Sequence, residues 1–412
     1  MSPDWQQTTL GEVVSFKGGG TPSTEMAAYW NGDIPWVSPK DMKSSEVGDS
    51  IDKITPEAIE NSAASLIPKD AILIVVRSGI LARTIPVAIT TRPLAVNQDI
   101  KALCPNGDVD PRYLHYFMQM SEPDILKLVT RGATVHRLST DSLKTLKFAK
   151  PPLAEQQRIV AILDEAFAGL ATATANAEKN LKNARELFES YLQAIFTRRD
   201  ADWEPHSLDE VCSFTSGGTP SKARVSYWSG DIPWVSGRDM KSDRIGDAAL
   251  HISQEAIEGS ASRIAPIGSL LVLVRGMGLA NGIALAEVTS PCAFNQDIKA
   301  IHPSSSIHPR FLLHSLRAAF ARSEKLLSNA AHGTLKVEMD ELRKVPLRIP
   351  PLRVQVSVSS KIDSLALDSQ KLARLYRKKI DALQNLKQSL LQKAFSGELT
   401  SPPSQAIKEA AE

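Results

Sequence analysis

Residues 151–196 read PPLAEQQRIVAILDEAFAGLATATANAEKNLKNARELFESYLQAIF, and residues 350–395 read PPLRVQVSVSSKIDSLALDSQKLARLYRKKIDALQNLKQSLLQKAF. Both open on Pro-Pro-Leu and close on phenylalanine, displaced by 199 residues. In the first, the apolar stripe runs Ile159, Leu163, Ala166, Leu170, Ala173, Ala177, Leu181, Ala184, Phe188, Tyr191 and Ile195. Its gaps alternate four and three, the seam of a coiled coil, except for two consecutive fours at Ala173, Ala177 and Leu181. The second stripe runs Val358, Ile362, Leu365, Ser369, Leu372, Tyr376, Ile380, Leu383, Leu386 and Leu390, with its two fours at Leu372, Tyr376 and Ile380. Such a break is a stutter, which locally unwinds a supercoil. The two stutters coincide at the 199-residue shift, so the helices can face each other without mismatching knobs and holes. The alternative is two amphipathic helices, each packed on its neighbouring domain. At 1.5 Å per residue, each helix is roughly 69 Å long, longer than a small domain is wide.

The chain has 412 residues, 42% apolar and 23% charged, enough for two to three domains with cores that need no staples. Cys104, Cys212 and Cys292 stand singly, without C-x-x-C spacing or a nearby histidine cluster. They are expected to be buried thiols in a reducing compartment. The opening Met-Ser-Pro-Asp-Trp lacks a basic region followed by an apolar run, and no apolar stretch is read as approaching the ~20 residues that span a bilayer. A cytoplasmic protein with no membrane partner is expected. Charge is close to balanced: Lys plus Arg against Asp plus Glu is 16 to 17 in residues 1–150, 6 to 6 in 151–199, 16 to 17 in 200–349 and 10 to 6 in 350–412. Any anion-binding footprint must therefore be a local patch on a neutral domain.

The segments ahead of the helices repeat too. Gly19-Gly20-Thr21-Pro22-Ser23 returns as Gly217-Gly218-Thr219-Pro220-Ser221, and Gly32-Asp33-Ile34-Pro35-Trp36-Val37-Ser38 as Gly230-Asp231-Ile232-Pro233-Trp234-Val235-Ser236. Asn97-Gln98-Asp99-Ile100-Lys101 returns as Asn295-Gln296-Asp297-Ile298-Lys299, and all six tryptophans keep the same shift of 198. Aromatics held in register through a duplication are better explained as core anchors than as base-stacking platforms. Residues 71–76 and 269–274 read as buried strands, while Pro56 and Pro111 open helices. The expected segments are 1–150, 151–199, 200–349 and 350–400, with a frayed tail from 401 to 412.

This arrangement, with Gly-Asp-Ile-Pro-Trp-Val and Asn-Gln-Asp-Ile-Lys in each globular half and Pro-Pro-Leu-x-x-Gln (Gln156, Gln355) opening each helix, resembles the specificity subunit of type I restriction-modification systems. The resemblance covers essentially the whole chain. It implies an α+β fold: two homologous globular target recognition domains separated by two long helices that pair as an antiparallel coiled coil, with a pseudo-twofold internal repeat. It implies that each globular half reads one half of a split double-stranded DNA sequence. The helices would set the gap and dock two methyltransferase (modification) subunits, with motor-nuclease (restriction) subunits joining for cleavage. S-adenosyl-L-methionine, ATP and magnesium would serve the partner subunits, and this chain would bind no cofactor. The second copy departs from the pattern where Glu155 becomes Val354, which leaves the helix-start contacts open.

Motifs that imitate chemistry are weak. Gly276-Met277-Gly278-Leu279-Ala280-Asn281-Gly282 has the look of a dinucleotide fingerprint, but the first copy reads Ser78-Gly79-Ile80-Leu81-Ala82-Arg83-Thr84 at that place. Residues 159–165 mimic an ATPase strand without any G-x-x-x-x-G-K-[ST], and Asp99 and Asp297 imitate half of a nuclease metal site without a partner carboxylate motif. A turn-stabilising role suits those aspartates better. Pro151-Pro152 lacks the preceding Asn or Asp and the following aromatic of an adenine methyltransferase. No catalytic residue or metal ligand is assigned.

Base reading needs Arg or Lys for guanine, Asn or Gln for adenine, and Ser or Thr more permissively. Candidates are polar residues where apolar runs stop. Arg77 and Arg275 end the buried strands, where an unpaired buried guanidinium is very costly, so each is exposed or salt-bridged. Ser38, Lys40 and Lys43, with Ser236, Arg238 and Lys241, follow the Trp-Val strands. Arg83 and Asn281 sit in the loops after the buried strands. Arg131, Thr134, His136 and Arg137, with His332, Thr334 and Lys336, form Gly-containing basic loops that could grip phosphates without reading sequence. Asn97 and Gln98, and likewise Asn295 and Gln296, cannot both face DNA, because neighbours on extended backbone alternate sides. Two heads from one module imply related half-sites and a split near-palindrome. The competing classes are a stand-alone DNA-acting nuclease or methyltransferase, and a coiled-coil adaptor that never touches DNA.

Overall fold

A computed structural model describes residues 5–197, 203–329 and 334–400. Compactness divides the chain into residues 1–177 with 378–412, the first unit, and residues 178–377, the second. These limits fall inside the long helices, at the stutters, rather than at the element ends expected from sequence. Each long helix therefore lends one half to each unit.

In the first unit a five-stranded sheet runs in the order Val14–Gly18, Ile100–Pro105, Ile72–Val75, Val87–Thr90, Glu46–Val47. It is antiparallel except for the last pair. Its Ile72–Val75 strand is wholly buried, which explains a run apolar at every position rather than at alternate ones. A second layer orders Lys53–Ile54, Trp30–Val37, Leu94–Val96 and Leu66–Ile67, with its central pair parallel. The second unit repeats both sheets, with Leu270–Leu273 as the buried strand and Ile232–Val235 carrying the Trp-Val motif. Trp30 stands edge-on to Trp36 at 5.4 Å, and Trp228 to Trp234 at 5.1 Å, so the shifted aromatics anchor equivalent small cores. Cys212 and Cys292 are buried, with thiols pushed up to about 12 by burial, and Cys104 is half-buried.

Four helices position the site: α1 (Pro111–Met120), α2 (Leu153–Thr197), α3 (Pro309–Phe320) and α4 (Leu352–Ser396). The Asp110 carboxylate caps α1, accepting from Arg112 and Tyr113 N–H at 2.9 and 3.0 Å. Gln156 in the first turn of α2 is fully buried. Its Oε1 accepts from Asp110 N–H at 2.8 Å, and its Nε2 donates to the Asp108 and Pro151 carbonyls at 3.0 and 2.9 Å. Gln355 does the same in α4 with His308 N–H and the Ser306 and Pro350 carbonyls. The Glu155 to Val354 change therefore leaves the helix-start contacts intact.

The seam follows the expected stripe in part. In the first unit Ile159 and Leu163 are buried in one core with Leu391, Ala394 and Phe395, and Lys387 lies over the Phe167 ring at 5.1 Å. In the second, Ser369 Oγ donates to the Ala184 carbonyl at 2.7 Å, while Phe188 and Val358 pack on a core holding Leu192, Phe196 and Ile362. Rising numbers on α2 there meet falling numbers on α4, which is antiparallel pairing. Leu170, Leu181, Ile195, Leu365, Tyr376, Leu383 and Leu390 are half-buried. Three stripe residues differ from expectation: Tyr191, Leu372 and Leu386 are exposed. Leu372 sits mid-helix at the stutter, where its neighbour Ala373 is the buried residue. Leu386 precedes Lys387, the place that matches Phe188 at the 199-residue shift and that lies over Phe167. For Tyr191 the reason lies at the end of α2. Phe196 packs on Phe311 at 5.4 Å and on Trp203 at 6.3 Å, and Phe395 on Tyr113 at 4.9 Å, so the final turns rotate toward a globular core and inward spacing becomes Phe188, Leu192, Phe196. Both readings of the stripe, helix against helix and helix against domain, hold at different places along it.

By length and composition α2 is apolar enough to cross a membrane, contrary to the expectation from sequence, because alanine supplies much of its apolar content. Its large apolar residues Ile159, Leu163, Leu192 and Phe196 are committed to cores within the two units.

Candidate nucleic-acid interface

The three repeated motifs converge in each unit. In the first, Trp36 Nε1 donates to the Gly20 carbonyl at 3.0 Å, Thr21 Oγ1 donates to Gln98 Oε1 at 2.7 Å, and Asn97 N–H donates to the Val37 carbonyl at 3.0 Å. In the second, Trp234 bonds Gly218, Thr219 bonds Gln296 at 2.5 Å and Asn295 bonds Val235. The glycines are required by contact: a Cβ on Gly19 would sit 1.8 Å from the Val96 carbonyl oxygen, and one on Gly217 2.3 Å from those of Phe294 and Asn295. The GGTPS string is thus the scaffold under the Asn-Gln-Asp turn. Thr21 and Thr219, not among the expected site residues, hold the exposed glutamines by their acceptor end and leave the amide donors without a hydrogen-bond partner among the described residues.

Several expected readers are turned inward. Ser38 is buried, with its N–H and hydroxyl on Asp41 Oδ2 at 2.9 and 2.8 Å, and Ser236 makes the same pair of bonds to Asp239 at 2.9 and 2.7 Å. Burial works against the Asp239 charge, but these bonds and the Ala249 N–H hold its carboxyl below the usual range. Asn97 and Asn295 are buried and close tight turns with Asp99 and Asp297. The exposed member of each Asn-Gln pair is the glutamine. The Asp99 and Asp297 carboxylates therefore serve the turn, as expected.

Other candidates surround this turn. In the first unit Arg77 Nε lies 2.5 Å from Asp99 Oδ1 and Lys40 Nζ 2.7 Å from Asp52, whose bond raises the lysine's pKa. Arg77 and Ser78 form a strand against His136–Leu138, which pairs in turn with Val129–Thr130. Here Arg137 stands opposite Arg77, and His136 Nδ1 accepts from Gly132 N–H at 3.3 Å. Pro39, Arg77, Asp99, Val135 and Arg137 border a cleft of about 350 Å³. Lys43, Arg83, Arg131 and Arg137 are exposed and form no ion pair among the described residues; Thr134 is exposed beside them. In the second unit Arg238, Lys241 and Arg275 are exposed, again without an ion pair among the described residues. Arg275 bridges Lys336, whose Nζ lies 2.9 Å from Glu338 Oε1. Thr334 is half-buried, and His332 lies outside the described residues. Asn281 lies on the wall of a cleft of about 540 Å³ with Arg317 and Phe320.

Sequence reasoning also missed the ion networks that tie α1 and α3 to the long helices. Arg112 reaches Asp164 at 2.6 Å and Glu46 at 2.7 Å, and Tyr116 Oη donates to Asp164. At the matching place Arg310 grips Asp363 and Asp243, and His314 meets Asp363. Among the described residues no group of three or more His, Cys, Asp or Glu is arranged to hold a metal.

The fold and site define a class of protein: a duplicated α+β module, each copy presenting basic loops above a motif-built scaffold and feeding a long helix. Residues 3–183 and 200–379 each match the type I restriction modification DNA specificity domain, and the chain belongs to that family. It is 37% identical over 196 residues to the type I restriction enzyme EcoR124I/EcoR124II specificity subunit of Escherichia coli, across 47% of this chain and 48% of that protein. Identity to the MjaIX specificity subunit of Methanocaldococcus jannaschii is 28% over 272 residues, 60% of this chain and 62% of that one. The match spans about half to three-fifths of these relatives. The fold is shared with a chain from a structure of type I R-M complex assembly and conformational transition, at TM-score 0.77, 18% identity and coverage of 97% and 99%. It is shared also with the HsdS subunit of Thermoanaerobacter tengcongensis, at TM-score 0.59, 19% identity and coverage of 97% and 98%.

Proposed function

We propose that this chain is the DNA sequence-specificity subunit of a type I restriction-modification complex. Each unit reads one half of a bipartite, near-palindromic target, and α2 and α4 set the spacer and dock two methyltransferase subunits, with motor-nuclease subunits joining for restriction. The chain recognises and the partners react, using S-adenosyl-L-methionine, ATP and magnesium. The observation that carries this reading is the repeated scaffold itself. The same Trp, Gly-Gly-Thr and Asn-Gln-Asp contacts hold exposed basic loops in both units, which suits two heads addressing two similar DNA segments. Exposed Leu187, Tyr191, Leu372 and Leu375 on the helices of the second unit suit a docking protein. Mapping methylated adenines genome-wide in a strain carrying the complete system should give one bipartite motif that vanishes when this chain is deleted. Absence of any motif depending on the chain, or methyl transfer by the purified chain alone, overturns the reading.

A further inference from the structure

In each unit two cations stand directly opposite each other on a short antiparallel pairing: Arg137 opposite Arg77 in the first, Arg275 opposite Lys336 in the second. Residues so placed share a face of the ribbon, and like charges directly opposite are destabilising. A carboxylate relieves one member of each pair, and it does so on different strands. In the first unit Asp99 holds Arg77 at 2.5 Å and leaves Arg137 without an ion pair or side-chain hydrogen bond among the described residues. In the second, Glu338 holds Lys336 at 2.9 Å and leaves Arg275 in that condition, although Asp297 occupies the place of Asp99. The local backbone explains the exchange: Arg77 continues into a paired strand, whereas Arg275 is followed by Gly276 at φ +135°, which turns the chain away after a single bridge.

Resting on the reading of the chain as a DNA specificity subunit, we propose that Arg137 and Arg275 are the specificity-determining arms of the two heads. Each addresses a guanine through O6 and N7 in the major groove, and Arg77 and Lys336 are positioning residues. A free guanidinium offers the two parallel donors that guanine accepts, whereas one engaged by a carboxylate must first be released. In the first unit the arm borders the cleft beside Pro39 and Asp99, open to a base edge. The heads are thus related without being superposable, since the reading arm comes from the hairpin strand in one and from the end of the buried strand in the other.

The test is the methylated motif written by the complete system carrying Arg137→Lys, Arg275→Lys, Arg77→Lys or Lys336→Gln in the full chain. The unmodified motif should hold a guanine in each half. Arg137→Lys should relax one half and Arg275→Lys the other, with roughly tenfold or greater loss of discrimination at one guanine. Arg77→Lys and Lys336→Gln should leave the motif unchanged and weaken binding to a duplex carrying it by about threefold or less. Lys retains charge, so a fold or phosphate defect does not mimic the result. A half-site without guanine, a motif unaltered by both arginine variants, or relaxation by Arg77→Lys and Lys336→Gln overturns the assignment. Loss of the whole function reading shows itself differently, as no motif from the unmodified chain.

Discussion

In the second unit His314 Nε2 lies 2.8 Å from Asp363 Oδ1, while its Nδ1 is buried without a hydrogen-bond partner among the described residues. The imidazole is therefore neutral, donating from Nε2, because a second proton would bury an N–H with no acceptor. Burial first, then Arg310 and Arg317, push its pKa down to about 4 against the pull of Asp363. His115 in the first unit is held at about 4 by burial with Lys387 and Arg112 nearby. Unfolded histidine titrates near 6.5, so between about 6.5 and 4 the unfolded chain binds more protons, and stability falls as pH falls through that window. The expected loss from pH 7 to pH 5 is about 2 kcal/mol for each histidine, read from urea midpoints. His314→Tyr, which installs the residue that meets Asp164 at the matching place in the first unit, should flatten the second unit's share. An acid dependence unaffected by that change would show that His314 is not its source.

The glutamine that opens each long helix should matter out of proportion to its size. Gln156 satisfies one buried N–H and two carbonyls, so Gln156→Ala strands three groups and opens a void, at a cost of about 2–4 kcal/mol. Gln156→Glu should cost more, since a carboxylate would face the Asp108 and Pro151 carbonyls. Amide hydrogen exchange at Asp110 and in the first turns of α2 is the measurement; unchanged protection in Gln156→Ala would refute the anchoring role. Gln355 should behave alike at His308.

Gly19 and Gly217 test the scaffold. A Cβ at Gly19 meets backbone oxygen rather than a flexible side-chain end, so Gly19→Ala must separate the Gly-Gly-Thr turn from Val96. Thr21 would then lose Gln98. The expected result is a destabilisation of about 2 kcal/mol or more, with relaxation of the base preference served by the first head while the second head's preference persists. A motif altered equally in both halves would show that the scaffold is not local to its unit.

How much of the fold and site is legible in the sequence depends on where the contacts lie. The tryptophans, the GGTPS string and the glutamines repeat because each needs the same neighbours twice, so a shift of 198 or 199 residues exposes the architecture. Ser38 and Asn97 mislead as surface polar residues. The spacing Ser38 to Asp41, repeated at Ser236 to Asp239, is a local serine-to-aspartate turn pattern that can signal an inward serine. The clamps are not legible: Arg77 meets Asp99 and Lys40 meets Asp52 through tertiary placement, and the same Asp-bearing motif in the second unit leaves Arg275 unclamped. Tyr191 falls on the seam only if the heptad continues past the point where α2 leaves its partner for Phe311.

Because α2 and α4 turn toward the heads at their ends, Phe196→Ala and Phe395→Ala should each cost about 3–5 kcal/mol, since each removes a buried ring set against other aromatics. Leu372→Ala, on the stripe but exposed, should change the isolated chain by no more than about 0.5 kcal/mol. The stripe alone predicts the opposite order, since it counts Leu372 as a seam residue and passes over both phenylalanines. Urea midpoints of the three variants decide between them. If Leu372→Ala proves as costly as Phe196→Ala, the helices are held by a continuous seam, and the inward turn at Leu192 and Phe196 is incidental. If the phenylalanines dominate, each helix is fixed at its ends, and Leu372, Leu187 and Leu375 remain free for another protein. In that case Leu372→Asp should leave the isolated chain folded and abolish co-purification with a methyltransferase subunit.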